Sequence, residues 1–286
     1  MKKNYQEPLL GAHMSIEGGL YKALESGNAL HCTTIQLFTK SNRQWHTKPL
    51  TKEEIKLFHD TQKRSSVKIV FAHASYLINL ASPNMQTYKN SLKTLSDELL
   101  RCNDLQIPYL VLHPGSAVTL SKEEGLAQII TGINDTFSNY TGNTMLLLET
   151  MAGQGSSLGT TFQELAFIRE NITHKNKIGF CFDTCHAFAA GYDFTNKDLY
   201  KKMWQEFDTI AGIEHIKAFH INDSKKELNC HVDRHEDIGK GAIGLEAFKL
   251  IMNDDRFIDI PKILETPKDS PEDDLRNLET LKKLID

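Results

Sequence analysis

The stretch KIGFCFDTCHAF (177–188) sets the pattern by which the whole chain is read. It is an apolar, aromatic run of strand length, closed by a carboxylate, with a histidine three residues further on. A run this short and this apolar reads as a strand buried on both faces of a parallel sheet. Seven more runs match it: PLLGAH (8–13), TTIQLF (33–38), VKIVFAH (67–73), PYLVLH (108–113), TMLLLE (144–149), HIKAFH (215–220) and IPKILE (260–265). The segments between them carry helical signals. Leu92, Leu95, Leu99 and Cys102 recur at steps of three and four, which places one stripe against a core. Ser121 with Glu124, and Thr161 with Glu164, have capping-box spacing, while Ser270-Pro271 reads as an N-cap and first turn ahead of Leu275, Leu278 and Leu281. Eight strands alternating with helices predict an α/β fold, a (β/α)8 TIM barrel forming a single domain over 1–286. An open doubly wound sheet is the competing architecture, but no Gly-x-Gly-x-x-Gly turn supports nucleotide binding there.

The chain's 286 residues suit one barrel, which typically takes about 250. Hydrophobic residues make up 40% and charged residues 24%, which excludes a disordered or collagen-like chain. No apolar run approaches the roughly 18 residues needed to span a bilayer. The N-terminal MKKNYQEPLLGAHMS has no apolar core of signal-peptide length, so a cytoplasmic protein without membrane contact is expected. Five cysteines, Cys32, Cys102, Cys181, Cys185 and Cys230, are an odd and thinly spread set, read as reduced buried thiols. The net charge of −4 hides an asymmetry: residues 1–110 carry 14 Lys/Arg against 9 Asp/Glu, and residues 111–286 carry 19 against 28. The acidic part calls for bound cations.

Seven of the eight runs end in a side chain able to hold a metal: His13, His73, His113, Glu149, Asp183, His220 and Glu265. Only the second, ending at Phe38-Thr39, does not. A barrel gathers the C-terminal ends of its strands on one face, where such enzymes carry their active sites. Carboxylates crowded there repel and raise one another's pKa unless cations or protons compensate. Further candidates follow in the loops. His186 is expected at the rim beyond Asp183, and Asp233 and His235, two apart, point the same way if the segment is extended, whereas His231 reads as a surface residue. With His13 set aside, nine candidates remain: His73, His113, Glu149, Asp183, His186, His220, Asp233, His235 and Glu265. Imidazole with carboxylate suits zinc or manganese, and nine donors fit three ions better than one or two.

These residues resemble the endonuclease IV-type apurinic/apyrimidinic (AP) endonucleases, TIM barrels with three zinc ions. The resemblance runs along essentially the whole chain, through GAHMSIEGGL, LFTKSNRQW, HASYLINLASP, HPGS, LETMAGQGSSLG, FDTCHAFAAGYD, HINDSK, HVDRHEDIGKGAIG and ILETP. It implies that His73 and His113 hold one zinc and that catalytic Glu149 bridges it to a second, also bound by Asp183, His220 and Glu265. His186, Asp233 and His235 would hold the third, with manganese able to replace zinc at one position. Ala74 departs from the acidic residue some members carry after the first histidine, which implies tuning rather than loss of activity. The implied activity is hydrolysis 5′ to abasic sites in damaged duplex DNA, leaving a 3′-hydroxyl and a 5′-deoxyribose phosphate, with 3′-end trimming. Arg43, Tyr76 and Leu77 become wedge residues entering the base stack. The basic segment Lys40 to Trp45 is expected to meet the DNA backbone, Lys40 as a phosphate contact.

Three divalent ions would turn the net charge of −4 into about +2, concentrated where an anionic substrate binds. A monomer suffices for a bowl of this kind. The competing enzyme class is a metal-dependent sugar isomerase or epimerase on the same barrel. The number of histidines and the Arg43–Trp45 loop weigh against it. A non-catalytic metal-binding protein would have no use for open coordination positions.

Overall fold

All eight apolar runs become strands in the computed structural model, which describes residues 7–286. They are β1 Leu10–Ala12, β2 Thr34–Phe38, β3 Ile69–His73, β4 Tyr109–Leu112, β5 Met145–Glu149, β6 Ile178–Asp183, β7 Ile216–His220 and β8 Lys262–Leu264. Every pairing between them is parallel, in the order β1-β8-β7-β6-β5-β4-β3-β2. The backbone seam between β2 and β1 has a single parallel bridge, His13 with Gln36, and the bonds Met14 N–H to Gln36 O (2.8 Å) and Thr33 N–H to Leu10 O (3.0 Å), beside a bond from Leu10 N–H to Thr33 Oγ1 (2.9 Å). Gly11 permits that approach: a Cβ there would lie 1.7 Å from the Thr34 carbonyl oxygen.

Outside the barrel run α1 Leu20–Ala29, α2 Lys52–Gln62, α3 Met85–Asp104, α4 Lys122–Ser138, α5 Phe162–Glu170, α6 Thr184–Ala189, α7 Lys197–Ala211, α8 Leu245–Met252 and α9 Pro271–Lys283. Ser121 and Glu124 close the expected capping box. At α5 the box is half made. Thr161 accepts from Glu164 N–H, but the Glu164 carboxylate turns to the amides of Gly159 and Thr160 and to Lys122.

Two apolar layers fill the molecule. The larger lies between barrel and helices. The smaller is a plug inside the barrel: Phe71, Val111, Leu147, Cys181, Ala218 and Ile263. Each stands two residues before a predicted mouth residue, respectively His73, His113, Glu149, Asp183, His220 and Glu265. Side chains two apart on a strand share a face, so the period that aims the plug inward aims the mouth residues inward directly above it. The titratable cluster therefore rests on an apolar floor, where electrostatic interactions are stronger than in water. All five cysteines are free thiols; Cys32, Cys102, Cys181 and Cys185 are buried as expected, whereas Cys230 is only half-buried.

Candidate metal centre at the barrel mouth

Glu149 occupies the middle of the mouth, fully buried. Its Oε2 lies 3.2 Å from His73 Nε2 and 3.1 Å from His113 Nε2, and its Oε1 lies 2.9 Å from His220 Nδ1 and 3.3 Å from His186 Nδ1. One carboxylate thus faces two groups of donors. His73, His113 and Glu149 form the first; Glu149, Asp183, His220 and Glu265 form the second, with donor atoms within 4.8 Å of one another in each. These coincide with two of the three ligand sets implied by the resemblance.

The third set comes together with additions. Asp233 sits 3.2 Å from His186 Nε2 and 3.3 Å from His235 Nε2, but Asp183 also converges on His186 and His235, and Cys185 on Asp233 and His235. Burial pushes the Cys185 thiol up to about 12. His186 departs from the expected rim position. It lies in the first turn of α6, where Asp183 Oδ1 caps the helix by accepting from His186 N–H (2.7 Å), and it is buried inside the mouth. His231 is exposed, as read.

The imidazoles are oriented from behind. Nδ1 of His73 faces the Ala74 carbonyl (2.7 Å), that of His186 the Thr150 carbonyl (3.0 Å) and that of His235 the Glu265 carbonyl (2.9 Å). With Nδ1–H so occupied, Nε2 is the free donor; Nε2 of both His186 and His235 is buried without completing a hydrogen bond. Such orphaned nitrogens beside carboxylates fit a cation. Ala74 contributes only its carbonyl to this arrangement, and its methyl packs in the core.

The charges respond accordingly. Burial pushes Glu149 up, yet His220 and His113 outweigh it and hold the carboxyl well below its usual range. Burial pushes His186 and His220 down, but Asp183, Asp233 and Glu149 around the first, and Cys181, Glu265 and Glu149 around the second, raise both well above an ordinary histidine. Asp233 is held down to about 2: burial opposes this, and His186 prevails. The shifts favour positive charge beside the buried carboxylates, which is what cations would supply.

Several supporting residues escaped the sequence reading. Asn222 donates to Asp183 Oδ2 (2.8 Å) and accepts from Glu265 N–H (2.7 Å). Asp223, fully buried, accepts from the amides of Ser224, Gly239, Gly241 and Ile243 and so anchors the loop bearing Asp233 and His235. Gln36, fully buried on β2, reaches the side chains of His13, His220 and Glu265. Its signal was visible: a lone amide in the apolar run TTIQLF must find partners if buried.

At the rim, Tyr76 is 54% exposed and its ring packs on His73 (5.0 Å between centroids) and His113 (5.4 Å), while Leu77 is half-buried and Arg43 exposed. Lys40 corrects the sequence reading. It is 4% exposed, its Nζ 3.4 Å from Glu98 Oε1 and bonded to the Gln44 carbonyl (2.6 Å), so it does not present a charge to a phosphate. A lysine two residues past a buried strand end is still within the fold, and α3 supplies the carboxylate that keeps it there. Glu98 also accepts from Ser75 N–H, and Ser75 Oγ donates to the Asn42 carbonyl (2.9 Å). The loops carrying Arg43 and Tyr76 are thereby tied together.

The barrel and its mouth define a class. The sequence profile of the family described as xylose isomerase-like TIM barrel matches residues 22–284. Within that class, a protein of Geobacter sulfurreducens named "Probable endonuclease 4" is 46% identical over 96% of this chain and 94% of its own length. One of Geotalea daltonii with the same name is 48% identical over 96% and 98%. The crystal structure of endonuclease IV from Thermus thermophilus superposes with a TM-score of 0.85 at 33% identity, covering 97% of this chain and 98% of that one. The chain belongs to the endonuclease IV family. A D-tagatose 3-epimerase-like protein shares the fold at 20% identity, with a TM-score of 0.73 over 96% of both chains. No helix among the described residues is long and apolar enough to cross a membrane.

Proposed function

We propose that this chain is a DNA-repair endonuclease that hydrolyses the phosphodiester bond 5′ to abasic sites in duplex DNA, leaving a 3′-hydroxyl and a 5′-deoxyribose phosphate, and that trims blocked 3′ ends by the same hydrolysis. The observation that carries the reading is Glu149, buried on an apolar floor with its two oxygens facing two donor groups. His73, His113 and Glu149 hold one zinc ion; Glu149, Asp183, His220 and Glu265 a second; and His186, Asp233 and His235 a third, with manganese accepted at one position. Such ions lower the pKa of a bound water, polarise the phosphate and neutralise the leaving oxygen.

The chain's own groups do the rest. The Glu149 carboxylate fixes the spacing of the two donor groups on either side of it. Backbone carbonyls behind His73, His186 and His235 keep their Nε2 atoms aimed into the mouth. Tyr76 and Leu77, with Arg43 on the adjoining loop, enter the base stack; unstacking costs a few kcal/mol and is cheapest where a base is already missing. The enzyme acts as a cytoplasmic monomer.

The test is a duplex oligonucleotide with one abasic site, incubated with enzyme before and after chelation. A single cut 5′ to the site, lost on chelation and restored by zinc, is the expected result. Intact oligonucleotide with metal-replete enzyme, together with epimerisation of a ketohexose, would favour the sugar-epimerase reading that the shared fold allows.

A further inference from the structure

Of the eight apolar runs, TTIQLF alone ends in no side chain able to hold a metal, yet its strand, β2, places Gln36 among the candidate ligands of its neighbours. Gln36 Oε1 lies 2.7 Å from His220 Nε2, and Gln36 Nε2 lies 2.6 Å from Glu265 Oε1 and 2.8 Å from His13 Nδ1. The amide can sit only one way round. A carboxylate oxygen accepts and cannot donate, so the group against Glu265 Oε1 must be the NH2, and the oxygen must face His220. His220 then has to donate its Nε2–H, which leaves Nδ1 as its donor atom toward the central group. Nδ1 is the nitrogen that faces Glu149 Oε1 (2.9 Å), Glu265 Oε2 (3.3 Å) and Asp183 Oδ2 (3.8 Å).

His73, His186 and His235 receive their orientation from backbone carbonyls, which no substitution removes. His220 is set the opposite way round, and by a side chain. The same amide holds Glu265 Oε1, which turns Oε2 toward His220 Nδ1 and the central group.

The geometry points to Gln36 as a positioning residue of the metal centre: it sets the tautomer of His220 and the rotation of Glu265, and so makes the central cation site. This rests on the mouth being a metal centre, as proposed above. Partners of this kind behind metal ligands typically change metal affinity by about 10- to 100-fold when removed.

Gln36→Met keeps the length and volume of the side chain and removes the amide. Metal content is measured on parent and variant after dialysis against graded chelator, and the melting temperature is measured with and without metal. The variant should give up one equivalent of metal at a chelator concentration about 10- to 100-fold below that needed for the parent. The rise in melting temperature on metal loading should shrink in parallel, because a ligand stabilises the fold in proportion to how tightly it is held. Gln36→Glu keeps an acceptor for His220 but sets a like charge against Glu265, and should lose the metal at least as readily. A purely structural role would lower both melting temperatures alike and leave their difference unchanged. That result, or parental chelator resistance in both variants, overturns the inference. A parent that takes up no metal overturns the metal centre itself, and this inference with it.

Discussion

Glu149 is fully buried at the end of a strand hydrogen-bonded on both sides, whereas Tyr76 is 54% exposed on a loop three residues past the end of β3. The two lie within the same mouth and are held by different means. Bowl residues inherit their positions from the barrel, whose strands fix each Cα and whose plug sets the depth. Rim residues depend on a handful of side-chain ties: Glu98 to Ser75, Ser75 to Asn42, Lys40 to Gln44 and Glu98, and Thr94 Oγ1 to the Trp45 carbonyl (3.2 Å). Changes in the bowl should therefore alter chemistry and leave shape alone. Changes behind the rim should alter recognition of the lesion and leave the chemistry of bound substrate alone.

The sharpest trial of that division is Glu149→Gln. It keeps volume and removes the charge between the two donor groups. Turnover should fall on the order of a hundredfold or more, the scale of losing a principal electrostatic element, with circular dichroism unchanged. Near-parental turnover at full metal occupancy would end the bridging role.

Next is the pair behind the rim. Removing one partner of a buried ion pair costs about 3–5 kcal/mol, while replacing both with neutral groups costs far less. Glu98→Gln and Lys40→Met should each lower stability, and the double variant should recover much of it. Each should also narrow the binding preference for abasic over intact duplex, with metal content held. Because Lys40 is buried, Lys40→Met should leave the slope of log K against log[salt] unchanged; a phosphate contact would lower it by about one. A slope change of that size would return Lys40 to the DNA surface.

Tyr76→Ala is expected to have the smallest effect, weakening abasic-duplex binding about tenfold, within the range of one lost base-stacking contact. Metal content should not move. If binding is parental, Tyr76 is packing over His73 and His113 and no wedge.

The barrel and its bowl were legible because one period controls both. Each candidate ligand at a strand end follows an apolar residue by two, so the run that announces the strand also announces the direction of the group ending it. What was missed lies where that period does not reach. Lys40 looked like a surface charge because its partner, Glu98, is 58 residues away on α3. Spacing alone puts His186 at the rim because it shows Asp183 only as a strand end, whereas the Asp183 carboxylate also starts a helix that folds the histidine back inside. The third ligand set drew in Asp183 and Cys185 for the same reason: short-range spacing does not report which residues a tight turn superimposes.

The narrow seam between β1 and β2 has a kinetic consequence. Local opening is cheapest where few backbone bonds must break, and here few join β1 to β2, across a contact that only Gly11 allows. Gln36 stands on that seam and also grips His220 and Glu265. Parting the staves at the seam would drag two donors out of the central group, so a held cation would act as a hoop on the barrel. Amide exchange at Met14 and Thr33 would then run fast in the stripped enzyme and slow in the loaded one, while the middle of β5 kept the same pace in both. Metal loss and susceptibility to proteolysis in the β1–β2 region would become two readings of a single opening.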